Sequence, residues 1–406
     1  MTAPELPPPI HLPIYRNGES PDSEVERHEA QLHWALGHPF TDGNEIEVLR
    51  NGDRIFPAML EAIDKAETSV DFVTFVYWTG EVADAFAETL ARAARRGVKV
   101  RVVIDAFGGY PMKDDLHTVM KEAGVELKWF RPLRSFRVWR NTHRTHRKIL
   151  VVDREIGFTG GVGIAEEWMG DARNPNEWRE THFRIQGPAV MGLWSAFAGN
   201  WMEAAGSLPD PLEAPKIPEK AGKARMMTVR ATSSLGWSDI GTMFDAALSC
   251  PERRVWLTTA YFVPDVPARE RLIELADRGV DVRIMLPSAE RSDKRIVDFA
   301  NQSIIRRLLK HGVRIYRYQP AMLHAKLVLV DDMMSIIGSA NLNHRSASKD
   351  DELSMIVLDA ELNATLTADY ERDLEQCEEV RLEHLKHRPW WHRLLSKLSF
   401  RLRAEM

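Results

Sequence analysis

The chain repeats itself. Arg96-Gly97-Val98-Lys99-Val100-Arg101-Val102-Val103-Ile104 is echoed by Arg278-Gly279-Val280-Asp281-Val282-Arg283-Ile284-Met285-Leu286. Gly124-Val125-Glu126-Leu127 leading to Pro132 is echoed by Gly312-Val313-Arg314-Ile315 leading to Pro320. Self-similarity on this scale means one supersecondary plan executed twice, so the fold must be a pair of like units. At 406 residues the chain gives each unit enough length to bury a core of its own.

Within the first half, β-branched runs predict strands at Val70–Tyr77 and Val98–Ile104, and apolar spacing near 3.6 predicts a helix around Glu81–Arg95. The same order recurs from Val255 through Leu329. Between the halves, Gly206–Lys223 carries Pro209, Pro211, Pro215 and Pro218 with mixed charge, the composition of an irregular connector. The expected fold class is therefore α/β, with two duplicated α/β/α sandwich domains related by pseudo-twofold symmetry and a site in the cleft between them. The expected divisions are an N-terminal extension at 1–42, domains at 43–205 and 229–383, a linker at 206–228 and a basic C-terminal segment at 384–406.

Each half also holds the same chemical pattern. The first is His146-x-Lys148-x4-Asp153 followed by Gly160-Gly161, and the second is His324-x-Lys326-x4-Asp331 followed by Gly338-Ser339-Ala340-Asn341. Side chains two apart on a strand share a face, so each pair presents an imidazole beside an ammonium. Imidazole can attack phosphorus or carry a proton near neutral pH, and Lys supplies a point charge for phosphate oxygens. The Asp lies at an odd offset from the Lys and faces away on a continued strand, which assigns Asp153 and Asp331 a structural role at the strand end. Glu180 and Glu352 each open a β-like stretch downstream of their motif and are the candidates to hold the histidines' second ring nitrogen.

These motifs resemble the phospholipase D superfamily, whose duplicated H-x-K-x4-D-x6-G-[SG]-x-N signature the second copy matches throughout; the first departs at Gly163, which stands in place of Asn. The resemblance implies two phospholipase D-like domains and a covalent phosphohistidine. It gives His146 as nucleophile and His324 as acid and base, though chemistry alone permits the reverse. It implies a catalytic set of His146, Lys148, Asp153, His324, Lys326, Asp331, Glu180 and Glu352, with Gly161, Ser339 and Asn341 at the phosphate. No metal and no cofactor are expected.

Within the superfamily the chain is most similar to bacterial cardiolipin synthases of the peripherally bound type. The similarity rests on Asn51-Gly52-Asp53, Phe56-Pro57-Ala58-Met59-Leu60, Trp178-Arg179-Glu180-Thr181-His182, Gly187-Pro188-Ala189-Val190 and Tyr261-Phe262-Val263-Pro264-Asp265, and runs from about Gly43 to the C-terminus. It implies a phospholipid substrate and transfer of a phosphatidyl group, with phosphatidylglycerol as donor or acceptor. Hydrolysis by water, a nucleic-acid phosphodiesterase and an inactive lipid-binding scaffold are the competing readings.

Charge and composition bear on the partners. The net charge of -5 argues against a surface built wholly for nucleic acid, and no nucleic-acid partner is expected. Cys250 and Cys377 are too few and too far apart for a disulfide framework. The acidic, proline-bearing start lacks a signal peptide's character, and no apolar run is long enough for a transmembrane helix, so location on the cytoplasmic side of the membrane, peripherally bound, is expected. Two segments suit an anionic membrane surface. Lys128–Lys148 holds eight Lys or Arg and no acid, and contains the extra aromatic and basic stretch Leu133–Thr142; a solvated charged loop is the alternative. Arg388–Arg403 spaces Leu394, Leu395, Leu398, Phe400 and Leu402 among basic residues behind Trp390-Trp391; a helix packed on the body is the alternative. His11, His28, His33 and His38 lack ligand spacing and are expected at the surface.

Overall fold

In the computed structural model, residues 24–132, 142–210, 217–232, 238–293 and 295–383 are described. The first half runs α1 (Glu24–Leu36), β1 (Thr41–Arg50), α2 (Asn51–Lys65), β2 (Ser69–Thr74), α3 (Glu81–Arg95), β3 (Lys99–Asp105), α4 (Asp114–Glu122), β4 (Glu126–Phe130), β5 (Ile149–Val152), β6 (Ile156–Gly160), β7 (Thr181–Gln186) and α5 (Val190–Ala205). The second runs β8 (Ala224–Ala231), α6 (Asp239–Ala247), β9 (Arg254–Thr258), α7 (Val266–Asp277), β10 (Asp281–Pro287), α8 (Arg295–Lys310), β11 (Arg314–Tyr318), β12 (Leu327–Val330), β13 (Met334–Gly338), α9 (His344–Ser348), β14 (Glu352–Leu358), α10 (Ala360–Leu374) and β15 (Cys377–Glu379).

The echoed glycines are helix stops. Gly97 (φ +92°) ends α3, Gly279 (φ +89°) ends α7, and Gly124 (φ +93°) and Gly312 (φ +85°) precede β4 and β11. Nothing lies within 4 Å of a Cβ built at any of them, so the left-handed backbone and not crowding asks for glycine. Each stop returns the chain to the sheet as a parallel strand.

All the strands join one sheet, in the order β15-β11-β10-β9-β12-β13-β14-β8-β1-β7-β6-β5-β2-β3-β4. From the seam outward the two halves read alike: β1, β7, β6, β5, β2, β3, β4 on one side, and β8, β14, β13, β12, β9, β10, β11 on the other. The seam is the antiparallel pair β1–β8, with Thr41 opposite Met226 and Asn44 opposite Ala224. β5 and β12 are apolar at every position and alternate between the two faces: Ile149 and Val151 point to one, Leu150 and Val152 to the other. On one face a single core spans both lobes, with α5 and α10 packed on Val73, Phe183, Trp256 and Met355. On the other face each lobe has its own core, under α2 and α3 in the first and under α6 and α7 in the second.

Two details differ from the sequence reading. α1 lies within the stretch read as an extension, yet it packs on the second lobe: Leu32 enters that core, Glu29 pairs with Arg225 at 2.6 Å and Arg27 with Glu252 at 3.2 Å. His28 is therefore buried on the inner face of this helix and not at the surface, whereas His33 and His38 are half-buried and joined by a 3.0 Å hydrogen bond. β8 already begins at Ala224, inside the stretch read as linker. The segments 133–141 and 384–406, which carry most of the basic and aromatic positions read as membrane contacts, lie outside the described residues, as does His11.

The motif aspartates sit at the far ends of β5 and β12. Asp153 (φ +53°) accepts the backbone N–H groups of Glu67, Thr68 and Ser69, and Asp331 (φ +47°) those of Glu252, Arg253 and Arg254 at 2.8–3.0 Å. Each fastens the motif hairpin to the loop entering the neighbouring strand. Asp331→Ala leaves three part-buried backbone donors without their acceptor and should cost about 2 kcal/mol in chemical denaturation. A loss under about 1 kcal/mol would contradict this role.

Candidate active site

Both His-x-Lys pairs lie just before their strands, on extended lead-ins that leave their own lobe's sheet and pair with the other lobe. Thr145 bridges Asp351, with His146 N–H donating to the Asp351 carbonyl at 2.8 Å and Asp351 N–H donating to that of Arg144 at 2.8 Å. Leu323 bridges Arg179 in the same way, with His324 N–H donating to the Arg179 carbonyl at 2.8 Å and Arg179 N–H to that of Met322 at 2.8 Å. Each histidine is thereby delivered beside the glutamate that opens the other lobe's strand.

The side chains complete the crossing. His146 Nδ1 lies 3.0 and 3.2 Å from the two oxygens of Glu352, and His324 Nδ1 lies 2.7 Å from Glu180 Oε2. Lys148 Nζ donates to the His146 carbonyl at 2.7 Å, and Lys326 Nζ lies over the His324 ring, 2.9 and 3.1 Å from its nitrogens. Lys326 acts electrostatically on both His146 and Lys148, so the two motifs share one site. Seven of the expected residues meet here: His146, Lys148, Glu180, His324, Lys326, Ser339 and Glu352. Asp153 and Asp331, named with the catalytic set through the motif, stay at the opposite strand ends and do not join them.

The residues expected at the phosphate have other contacts. Ser339 donates to Glu352 and accepts from Leu353 N–H, so it holds the glutamate in place. At the matching position a Cβ on Gly161 would stand 2.3 Å from Glu180 Oε2, so glycine makes room for that carboxylate. Asn341 turns its carbonyl oxygen to the Thr259 hydroxyl at 3.2 Å and to Tyr261 N–H at 3.4 Å, bracing the loop after β9. Its counterpart Gly163 is pressed against Val76 and the Trp168 ring, at 2.8 and 3.0 Å from a built Cβ, which leaves no space for asparagine. The departure from the signature is thus a substitution of one brace by an indole.

Several contributors escaped the sequence reading. Ser346, on α9 behind the Asn343 cap, donates to Glu352 Oε1 at 2.7 Å and accepts from Asn341 N–H at 3.1 Å. Trp168 and Trp178 each stand 5.2 Å from the His324 ring and Tyr261 stands 6.2 Å from it, while among the described residues the ring beside His146 is Phe75, at 5.3 Å. Trp178 and Tyr261 fall in stretches already notable for their similarity to relatives; Trp168 had no such signal. His182 shares a strand face with Glu180, two positions on, and lies within electrostatic reach of Lys148. Arg147, between His146 and Lys148, is fully buried and donates to the carbonyls of Glu352, Ala196 and Ala231 and to Asn200, tying the motif to both lobes.

Burial and these partners set the charges. Burial, with Lys148 and Lys326 nearby, pushes His146 down to about 4, leaving it neutral at pH 7. Burial works to raise Glu352, but His146, Lys148 and the Ser339 hydroxyl hold it down at about 2. Glu180 has fewer donors, and burial raises it to about 7 despite the two lysines. Burial and Lys326 lower Lys148 to about 7, and burial lowers His182 to about 3. His146 keeps 13% of its side chain exposed against 5% for His324, so the site is more open at His146 than at His324. Among the described residues no group of His, Cys, Asp and Glu is placed to hold a metal ion. An imidazole whose Nδ1–H is held by an ionised carboxylate presents its Nε2 lone pair, so this arrangement can attack an electrophile beside two ammonium groups.

Two pH dependences follow. Lys148 loses its charge as pH rises through about 7, so kcat/KM should fall on the alkaline side; Lys148→Arg should carry the plateau to higher pH, because guanidinium stays charged. An unmoved limb in that variant would assign it to another group. Glu180 binds its proton more tightly folded than unfolded, so its contribution to stability declines as pH rises from 4.5 to about 7. Glu180→Gln should therefore gain on the parent protein in denaturation midpoint between pH 5 and pH 8; a pH-independent difference would refute the raised carboxyl.

Comparison with known proteins places the chain in a family. The family model described as cardiolipin synthase, PLD-like domain, matches residues 59–195 and 245–374, one segment in each lobe. A cardiolipin synthase of Geobacillus kaustophilus (strain HTA426) is 30% identical over 384 residues, covering 93% of this chain and 76% of its own length. Cardiolipin synthase A of Pseudomonas putida (strain GB-1) is 33% identical over 346 residues, covering 85% and 71%. Among solved structures, phosphatidylserine synthase of Haemophilus influenzae Rd KW20 superposes with a TM-score of 0.72 at 14% identity over 94% of this chain and 98% of its own, a likeness of fold. With its duplicated motif and a family match in both lobes, the chain belongs to the cardiolipin synthase, phospholipase D-like domain family.

Proposed function

We propose that the protein is a phosphatidyltransferase that joins two phosphatidylglycerol molecules into cardiolipin and glycerol. The observation that carries the reading is the crosswise pairing of each motif histidine with the other lobe's glutamate, beside two lysines, in a chain of this family. His146 Nε2 attacks phosphorus while the bond from phosphorus to the leaving glycerol oxygen breaks, and His324 supplies that oxygen's proton. The hydroxyl of the second lipid then gives its proton to His324 and attacks phosphorus, and the P–N bond breaks. Glu352, firmly ionised, steadies the cation on His146; Glu180, more readily protonated, suits a partner that exchanges protons. Lys148 and Lys326 offset the charge on the non-bridging oxygens.

The aromatic wall of Trp168, Trp178 and Tyr261 around His324 favours a lipid hydroxyl over water as acceptor. The enzyme works at an anionic membrane surface, peripherally and on the cytoplasmic side, with 133–142 and 384–406 as basic contacts. No helix among the described residues is long and apolar enough to cross a membrane. The functional domains are taken as the two lobes, one running from β1 to α5 and the other from β8 to β15.

Incubation with phosphatidylglycerol vesicles and mass spectrometry of the lipids should yield cardiolipin and glycerol; phosphatidic acid alone would make the enzyme a hydrolase. Protein quenched during turnover of phosphorus-labelled lipid should carry alkali-stable, acid-labile label, and label persisting in His146→Ala would move the nucleophile elsewhere.

A further inference from the structure

The turn after β3 presents two aromatic side chains to solvent, Phe107 at 59% exposure and Tyr110 at 79%. Its backbone is nevertheless tightly held. Asp105 Oδ1 accepts the N–H groups of Phe107 and Gly108 at 2.8 and 3.1 Å, Gly109 N–H donates to the Asp105 carbonyl at 2.7 Å, and Trp78 Nε1 donates to the Gly108 carbonyl at 2.8 Å. A Cβ on Gly108 would stand 2.1 Å from the Phe75 carbonyl, so the turn is seated directly on Phe75.

The same anchors belong to the active site. Asp105 also accepts from Arg144 and, at 3.0 Å, from the N–H of Thr145, the residue before His146; the Phe75 ring lies 5.3 Å from the His146 ring. The aromatic turn is therefore fixed rigidly beside the more open of the two histidines. The fold does not require it: the corresponding turn after β10, Ser288–Asp293, carries Glu290, Arg291 and Asp293.

We propose that the Phe107–Tyr110 turn is the interfacial anchor of this protein, entering the headgroup layer of a phospholipid bilayer and setting the mouth at His146 to headgroup depth. The inference rests on the lipid-substrate reading above. A diacyl lipid whose phosphodiester must reach His146 leaves its chains in the bilayer, because every methylene drawn into water adds to the cost. The mouth must then be pressed against the membrane, and Phe and Tyr are side chains that settle at that boundary. Phospholipid, not protein, is the partner that fits, because the turn is fixed through Phe75 and Asp105 beside His146, the residue that must meet the lipid's phosphodiester.

The test uses the full chain. Phe107→Ser with Tyr110→Ser should lower turnover of phosphatidylglycerol vesicles about tenfold or more, while turnover of short-chain phosphatidylglycerol dissolved as monomers stays within about twofold of the parent, since binding at the surface and not chemistry is removed. Unchanged vesicle turnover, or an equal fall on both substrates, overturns the proposal. If the parent turns over neither lipid, the functional reading fails, and docking is decided separately. For that, Tyr110→Cys carries a polarity-sensitive dye in a Cys377→Ser background; Cys377 is half-exposed, whereas Cys250 is buried. On phosphatidylglycerol vesicles the emission should shift to the blue and be quenched by bilayer-embedded quenchers. No shift overturns the proposal, as does a shift that grows with protein concentration without vesicles and so reports self-association.

Discussion

The site exists because two short backbone bridges cross the molecule. Where Thr145 meets Asp351 and Leu323 meets Arg179, the lead-in to each motif strand is stitched to the start of the opposite lobe's strand, and histidine and glutamate are brought to hydrogen-bonding distance as a by-product. These bridges in turn depend on the β1–β8 seam, which makes one sheet of two and shares a core across it. Buried acids and bases so close in a region that excludes water are costly to assemble, and the surrounding framework has to hold them in place. Arg147, buried between His146 and Lys148, is part of that framework.

The duplication is most faithful where geometry is needed and loosest where chemistry is. The helix-stop glycines and the strand-end aspartates are matched closely. Around the histidines the halves differ among the described residues: Glu352 has two hydroxyl donors, whereas Glu180 has glycine at the Ser339 position, and His324 has Trp168, Trp178 and Tyr261 beside it where His146 has Phe75. The consequence is a pair of carboxyls of opposite character, one held at about 2 and the other raised to about 7. In the proposed mechanism this difference suits one pair to the nucleophile and the other to the proton carrier.

Much of this was legible in the residues alone. The repeated His-x-Lys pattern marked the site, the odd offset of Asp153 and Asp331 placed them at strand ends, and their like placement at the start of a β-like stretch after each motif singled out Glu180 and Glu352. Which glutamate serves which histidine was not legible, because it depends on how the halves join, a property of β1 and β8 that no motif records. Ser339, Asn341 and Gly161 were expected at the phosphate because they follow the motif; their contacts with Glu352, with the loop after β9 and with Glu180 were not legible there. Trp168 and Ser346 are distant in sequence from the residues they touch or lie in short helical turns without a chemical signature. His28 was read as a surface residue because it lacks ligand spacing, and the packing of α1 on the second lobe buries it.

The crossing also means that neither half is a smaller working enzyme. A lone half would carry a histidine and a glutamate that cannot serve each other, and would complete a site only by associating with its own copy about a twofold axis, where both copies must be identical. Covalent fusion lifts that constraint. Once the halves are parts of one polypeptide, Ser339 can stand against Gly161, Asn341 against Gly163 and Ala325 against Arg147, and a symmetric pair of histidines becomes a directional one.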